Sequence, residues 1–137
     1  MSQENAEVLR RFIEALPKAQ ASDDWGPVLA EVHPDVEIDD LDISLDTERY
    51  RGHDSLRKWI GDWMESWETW RLEDVEVRPV GEDRAIGLFV VHAKGKGSGI
   101  ELSRRDALVC TLSGGKIEKG TYYNNQQHAL EAVGLSE

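Results

Sequence analysis

The chain has 137 residues, enough for one domain with a core of its own. Lys and Arg number 16 against 27 Asp and Glu, a net charge of −11. That balance excludes nucleic acid and anionic membranes as expected partners, because phosphate recognition needs a basic patch. The single Cys110 has no internal partner for a disulfide and fits a reducing compartment. The opening residues, Met1 to Glu7, show no basic and then apolar signal pattern. No apolar run approaches the length of a membrane span. The expectation is a soluble, cytoplasmic protein.

Ser2 is placed to cap a first helix, with Glu4 and Glu7 near the positive end of its dipole. Leu9, Phe12, Ile13 and Leu16 form its apolar stripe, and Pro17 predicts an end or a bend. Ser22-Asp23-Asp24 offers a second cap. Trp25, Val28, Leu29 and Val32 suit a short helix closed by Pro34.

From Asp35 the period changes to two. Val36 and Ile38 alternate with Glu37 and Asp39. Leu41, Ile43 and Leu45 continue on the other parity, so the phase slips at Asp39-Asp40. Either a bulge re-aims the strand there, or the strand ends and a polar loop begins. Asp40 shares the parity of Val36 and Ile38. It is a candidate inward general base, and the alternative is a solvated acidic edge made with Asp39 and Asp42.

Tyr50 to Trp70 is the richest stretch. Leu56, Trp59, Ile60, Trp63, Met64 and Trp67 recur at the spacing of one helix face. Burying one Trp removes about 150–250 Å² from water, an upper-bound gain on the order of 4–6 kcal/mol. Leu56, Trp59 and Ile60 read as core. Trp63, Met64 and Trp67 read as the wall of a cavity, and Trp70 as the start of the next strand.

Four strand-like runs follow, at Leu72–Val80, Arg84–Lys94, Ile100–Leu112 and Ile117–Tyr123. The second is apolar on both parities, so both of its faces should be covered. Gly95–Gly99 and Ser113-Gly114-Gly115 read as turns, giving antiparallel hairpins. A last helix spans Gln126–Val133, with Gly134 closing it. Helices followed by a meander of strands make an α+β pattern.

Several polar residues stand on apolar parities. Arg104 and Asp106 share theirs with Leu102, Leu108, Cys110 and Leu112. Asp106 is then an acid or base in an apolar cavity, or a partner of Arg104 or Arg105, or turned to water by a bulge. His92 follows Ile86, Leu88 and Val90, as a general base or as a structural histidine. Of Tyr122 and Tyr123, one must face each side. Tyr123 is the candidate at a cavity rim, against the alternative of packing on the last helix. His33, His53 and His128 lack zinc-ligand spacing, and the acidic cluster lacks the pattern of a calcium loop. No nucleophile elbow, P-loop or dinucleotide fingerprint is present, so no metal and no cofactor is expected.

The order of elements and several motifs resemble the SnoaL-like polyketide cyclase family, within the nuclear-transport-factor-2-like superfamily. They are the segment from Glu4 to Arg11, His33-Pro34-Asp35-Val36-Glu37, Tyr50-Arg51-Gly52-His53, Gly97-Ser98-Gly99-Ile100-Glu101, Gly114-Gly115-Lys116-Ile117 and the run from Ala129 to Leu135. The resemblance implies one SnoaL-like domain over 1–137. It implies a cystatin-like cone, three helices against a strongly curved antiparallel sheet around a pocket, and frequent homodimers through the sheet. Relatives of this kind include cyclases, ketosteroid isomerases, epoxide hydrolases, dehydratases and non-enzymes, and the enzymes commonly move protons with a carboxylate and no cofactor. Phe12 stands where the isomerases carry a tyrosine. Asp40 is nearest to their strand carboxylate and Asp106 to their late carboxylic acid. The implied reading is a pocket for a small apolar or polycyclic molecule. Asp40, Asp106, His92 and Tyr123 would act on it, and Phe12, Trp63, Met64, Trp67 and Cys110 would bind it. The alternative is a non-catalytic binding module of the same fold.

Overall fold

The computed structural model describes residues 2–40 and 48–135. Helix α1 spans Ser2–Ser22, α2 Gly26–Leu29, strand β1 Val32–Asp40, β2 Glu48–Arg51 and α3 Gly52–Glu65. Then come β3 Trp67–Val80, β4 Arg84–Gly95, β5 Glu101–Ser113, β6 Lys116–Tyr123 and helix α4 Gln126–Ala132. The architecture is α+β, as expected. One six-stranded sheet runs in the order β2-β1-β6-β5-β4-β3. It is mixed: β1 lies parallel to β6, and the other four pairs are antiparallel. The hairpin signals could not show the β1–β6 pair, because it joins the two ends of the chain.

α1 continues through Pro17 rather than ending there. Pro17 sits on the exposed side, and Ala19 beyond it is buried again, so packing carries the helix onward. α2 is shorter than expected, and Val32 opens β1 instead of closing the helix. Asp24 does act at this point: its carboxylate accepts from the Gly26 N–H at 3.0 Å. β2 was not expected. Tyr50 and Arg51 pair with Ile38 and Glu37 before α3 begins. Gly52, at φ 87°, makes the break between them. β1 ends at Asp40. The expected continuation through Leu41, Ile43 and Leu45, with Asp42, lies outside the described residues.

The largest departure is at the tryptophans. α3 stops at Glu65, and Trp67 is the first residue of β3, paired with Gly95. Trp63, Trp67 and Trp70 imitate a helical spacing because β3 shifts register between Trp67 and Thr69. A regular strand would send Trp67 and Trp70 to opposite faces, and the extra residue brings both to one. The shift between Glu73 and Glu76 does the same for Leu72 and Val75, with Asp74 in the left-handed region at φ 52°.

The sheet has two apolar faces. On the inner face α1 packs against β3 and β4, and α3 against β1. Leu9, Phe12, Ile13, Leu56, Ile60, Phe89, Val91, Leu108 and Cys110 belong to this cluster. α1 approaches β4 closely: a Cβ on Gly87 would stand 2.6 Å from Ile13 Cδ1. On the outer face α4 covers Ile86, Leu88 and Ala107 with Ala129 and Leu130. Both sides of β4 are therefore covered, as its double apolar parity predicts. Asn125 caps α4 by accepting from the His128 N–H at 3.2 Å.

Candidate functional site: an aromatic pocket beside a locked carboxylate

The inner face leaves a cavity between α1, α3 and the sheet. Phe12, Ile13 and Leu16 line it from α1, Trp59, Ile60, Trp63 and Met64 from α3, and Trp70, Leu72, Phe89, Leu108 and Tyr122 from the strands. About 50 Å³ of it is open to the centre of a water molecule, room for a few waters. The wall is apolar, and the Trp59 N–H and the Tyr122 hydroxyl are bonded to Asp40 and Asp106.

Aromatic rings organise both ends. Trp63 meets Trp67 and Trp70 edge-on, with centroids 6.2 and 5.3 Å away. Tyr122 meets Trp59 edge-on at 5.6 Å and Phe89 at 6.1 Å. Such pairs add about 0.5–1.5 kcal/mol beyond burial and fix ring orientation.

Behind Tyr122 lies a carboxylate that is fully enclosed. Asp106 is 0% exposed. Strand register puts it opposite Phe89, on the inner face. Arg104, one inward position earlier, holds it in a fork, Nε to Oδ1 at 2.6 Å and Nη2 to Oδ2 at 2.9 Å. The Tyr122 hydroxyl donates to Oδ2. Both carboxylate oxygens are engaged, and the guanidinium balances the charge. The Asp106 hydrogen bond pushes the Arg104 pKa up. Burial, with the Asp106 charge behind it, pushes the Tyr122 phenol well above its ordinary value. Of the three sequence alternatives for Asp106, the observed one is pairing with Arg104.

Asp40 lies on the other side of Tyr122, which is its register partner across β1 and β6. It is 2% exposed, and its Oδ2 accepts from Trp59 Nε1 at 2.8 Å. Trp59 thus both walls the cavity and covers Asp40.

The expected site residues divide. Phe12, Trp63 and Met64 line the cavity. Asp40 and Asp106 stand behind Trp59 and Tyr122, outside the wall itself. Cys110 is buried on the same face but off the lining, and burial raises its thiol pKa. Three expectations need correction of place. Trp67 packs against Trp63 without reaching the cavity. Tyr123 faces outward into the α4 cluster. His92 is also on the outer face, with Nε2 3.1 Å from Glu73, which Arg71 also holds. Strand parity explains the last two: Phe89, Asp106, Leu108 and Tyr122 share one face, so their chain neighbours take the other. Arg104, Trp59, Trp70 and Tyr122 were not expected at the site. Counting parity from the Gly114-Gly115 turn through Ile117 selects Tyr123, and the register shift between Thr111 and Leu112 reverses that parity and turns Tyr122 inward. Among the described residues no group of three His, Cys, Asp or Glu could hold a metal, and no helix is long and apolar enough to cross a membrane.

Comparison with known proteins agrees with this architecture. A candidate polyketide cyclase from Xanthomonas campestris superposes with a TM-score of 0.75 at 22% identity, covering 96% of this chain and 98% of that one. An NTF2-like protein from Burkholderia xenovorans gives 0.71 at 15% identity, with 97% and 98% covered. TerC, crystallised with polyporic acid, gives 0.70 at 17% identity, with 96% and 98% covered. At these identities the likeness establishes the fold. Comparison with the curated proteins finds no match. The family model described as SnoaL-like domain matches residues 9–119. The chain belongs to the SnoaL-like family.

Proposed function

We propose that the chain binds a small apolar ring compound in the cavity between α1, α3 and the sheet, without a cofactor. The observation that carries this reading is the lining: aliphatic and aromatic side chains, with both nearby carboxylates set behind rings. Apolar walls with a few fixed polar groups are the usual make-up of a small-molecule site. The cavity is slim, so a bound ring displaces wall side chains. Met64, unbranched and adaptable, is the one best suited to move. The crystals of TerC with polyporic acid support an aromatic ligand class, as a property of that relative. A second copy of the chain, docked on the outer sheet face, completes the proposed assembly. Val90 and Val109 remain half-exposed there. A single-chain mass by analytical ultracentrifugation removes that part.

A second reading, proton transfer as in a cyclase or isomerase, rests on Asp40. Its carboxylate is separated from the cavity by one side chain, Trp59. Asp106 suits such a role less, because Arg104 and Tyr122 occupy both of its oxygens. His92 and Tyr123, on the outer face, have no part in it.

Naphthalene and polyporic acid, titrated against tryptophan fluorescence, test the binding reading. Trp59, Trp63 and Trp70 line the cavity, so saturable quenching is expected, and Phe12→Trp should weaken it at least tenfold by filling the space. Absence of saturable binding by both compounds overturns the proposal. For a ligand that is turned over, Asp40→Asn should abolish turnover and keep binding. Full turnover by that variant removes the second reading.

A further inference from the structure

We infer that the last turn of α3 is a door to the cavity, hinged at Gly61, through which a ligand enters and leaves. The inference rests on the binding reading above and adds how access to that site is controlled.

Gly61 lies inside α3, between the core residue Ile60 and the wall residues Trp63 and Met64. Glycine is a poor residue for a helix interior, because it has more backbone freedom to lose than alanine. Packing does not call for it here. A Cβ built on Gly61 would stand in open space, whereas one on Gly87 would strike Ile13. Nor does Gly61 have the left-handed backbone that Gly52 needs at the start of the same helix. Its effect is to loosen α3 at that point. The fastenings of α3 divide at the same residue. Before Gly61, the His53 ring N–H donates to the Val32 carbonyl at 3.0 Å, Arg57 reaches Asp23 at 3.5 Å and lies over Trp25, and Trp59 donates to Asp40. After it, among the described residues, the side-chain polar bonds stay within the helix and its cap: Asp62 with Lys58, and Ser66 with the Asp62 carbonyl. The Lys58–Asp62 pair spans Gly61, but its side chains are 75% and 62% exposed, so it holds the turn weakly. Trp63 is held by ring contacts to Trp67 and Trp70, and Met64 by apolar packing.

The far end of the turn is a joint as well. One residue, Ser66, connects α3 to β3, and β3 shifts register between Trp67 and Thr69. The other walls are fixed. Asn5, bonded to the Glu82 carbonyl, and the close approach to Gly87 hold α1, and the ladders hold the strands. Trp63 lines the cavity and is itself half-buried, so this wall is one side chain thick. A cavity with room for a few waters admits a ring only when a wall moves, and the hinged turn is the wall least held.

The test is Gly61→Ala, whose methyl fits the open space and favours the closed helix. Naphthalene binding to the intact protein is followed by stopped-flow tryptophan fluorescence, and amide hydrogen exchange of the ligand-free protein by NMR. The variant should slow association and dissociation together, each about fivefold, the Gly-to-Ala difference in helix propensity, and hold Kd within about twofold. Without ligand, the amides of residues 62–65 should exchange about fivefold more slowly as one group, and those of residues 56–59 at their former rates. Unchanged binding rates overturn the door and leave the binding reading standing. So does a loss of affinity through faster dissociation, because the methyl then disturbs the site instead of its entrance. Exchange that slows at residue 65 alone reports a frayed helix end and overturns the hinge. If naphthalene fails to bind the unmutated protein, the binding reading falls. Amide exchange then decides the hinge by itself, common slowing of residues 62–65 supporting it and unchanged rates overturning it.

Discussion

The two faces of the sheet carry similar chemistry in opposite settings, the outer group on β3 and β4 and the inner one on β5 and β6. Outside, Glu73 meets Arg71 and His92 with all three side chains at least 30% exposed. Inside, Asp106, with no exposure at all, meets Arg104 and Tyr122. An exposed ion pair is screened by water and salt and contributes about 0–1 kcal/mol. A buried carboxylate depends on its partners, because losing one leaves a charge in a poor solvent. The choice of sheet face separates the two regimes. The outer group lies on the surface, while the inner one holds Tyr122 in the wall of the cavity with the carboxylate behind it.

The contrast breaks most visibly at Arg104. Arg104→Met should cost about 2–4 kcal/mol in urea denaturation, somewhat less than a fully buried pair because the guanidinium is a third exposed. Adding Asp106→Leu should recover most of that loss, since it removes the stranded charge. If the double variant is no more stable than the single one, the network is not what Arg104 supports.

A smaller effect belongs to Tyr122. Tyr122→Phe should cost about 1 kcal/mol, one hydrogen bond to a charged acceptor that retains its arginine. The variant also sharpens the pH dependence. Burial raises the folded-state pKa of Tyr122 above the ordinary value of 10.0. Above that pH the unfolded chain releases the proton and the folded chain keeps it. The folded state then binds more protons, so stability falls as pH rises. The contribution is whole below about pH 9 and declines from about pH 10 upward. The alkaline decline of the melting temperature should be shallower in Tyr122→Phe. An unchanged slope assigns it to other groups, Cys110 first among them.

The smallest change is expected outside. Glu73→Gln should shift stability by no more than about 0.5 kcal/mol, and 0.5 M salt should erase the difference. A cost comparable to that of Arg104→Met would mean that the outer face is covered in solution, as a docked second copy would cover it.

Much of this was legible before any fold was known. The stripe Leu9, Phe12, Ile13 and Leu16 placed α1, and the double apolar parity of β4 foretold cover on both sides. Arg104 and Asp106 on one apolar parity already posed the question that the fork answers. Gly114 and Gly115, both at positive φ, marked the two-residue turn that joins β5 to β6. The misreading of the tryptophans has one source. Bulges in β3 made tryptophans three apart share a face, which copies the signature of a helix. Nothing local separates the two patterns.

By itself, then, the amino-acid order determined periodicity: which stretches alternate, which form stripes, and which polar residues share an apolar parity. Those are properties of neighbours along the chain, governed by side-chain direction and backbone sterics. Only the tertiary structure decided which parity is inside. That choice requires β6 to lie between β1 and β5, which brings Asp40 and Asp106 to either side of Tyr122. It also made Trp67 a strand residue, through pairing with Gly95 far along the chain. Long-range pairing sets the register, and the register decides which ring and which carboxylate meet the cavity.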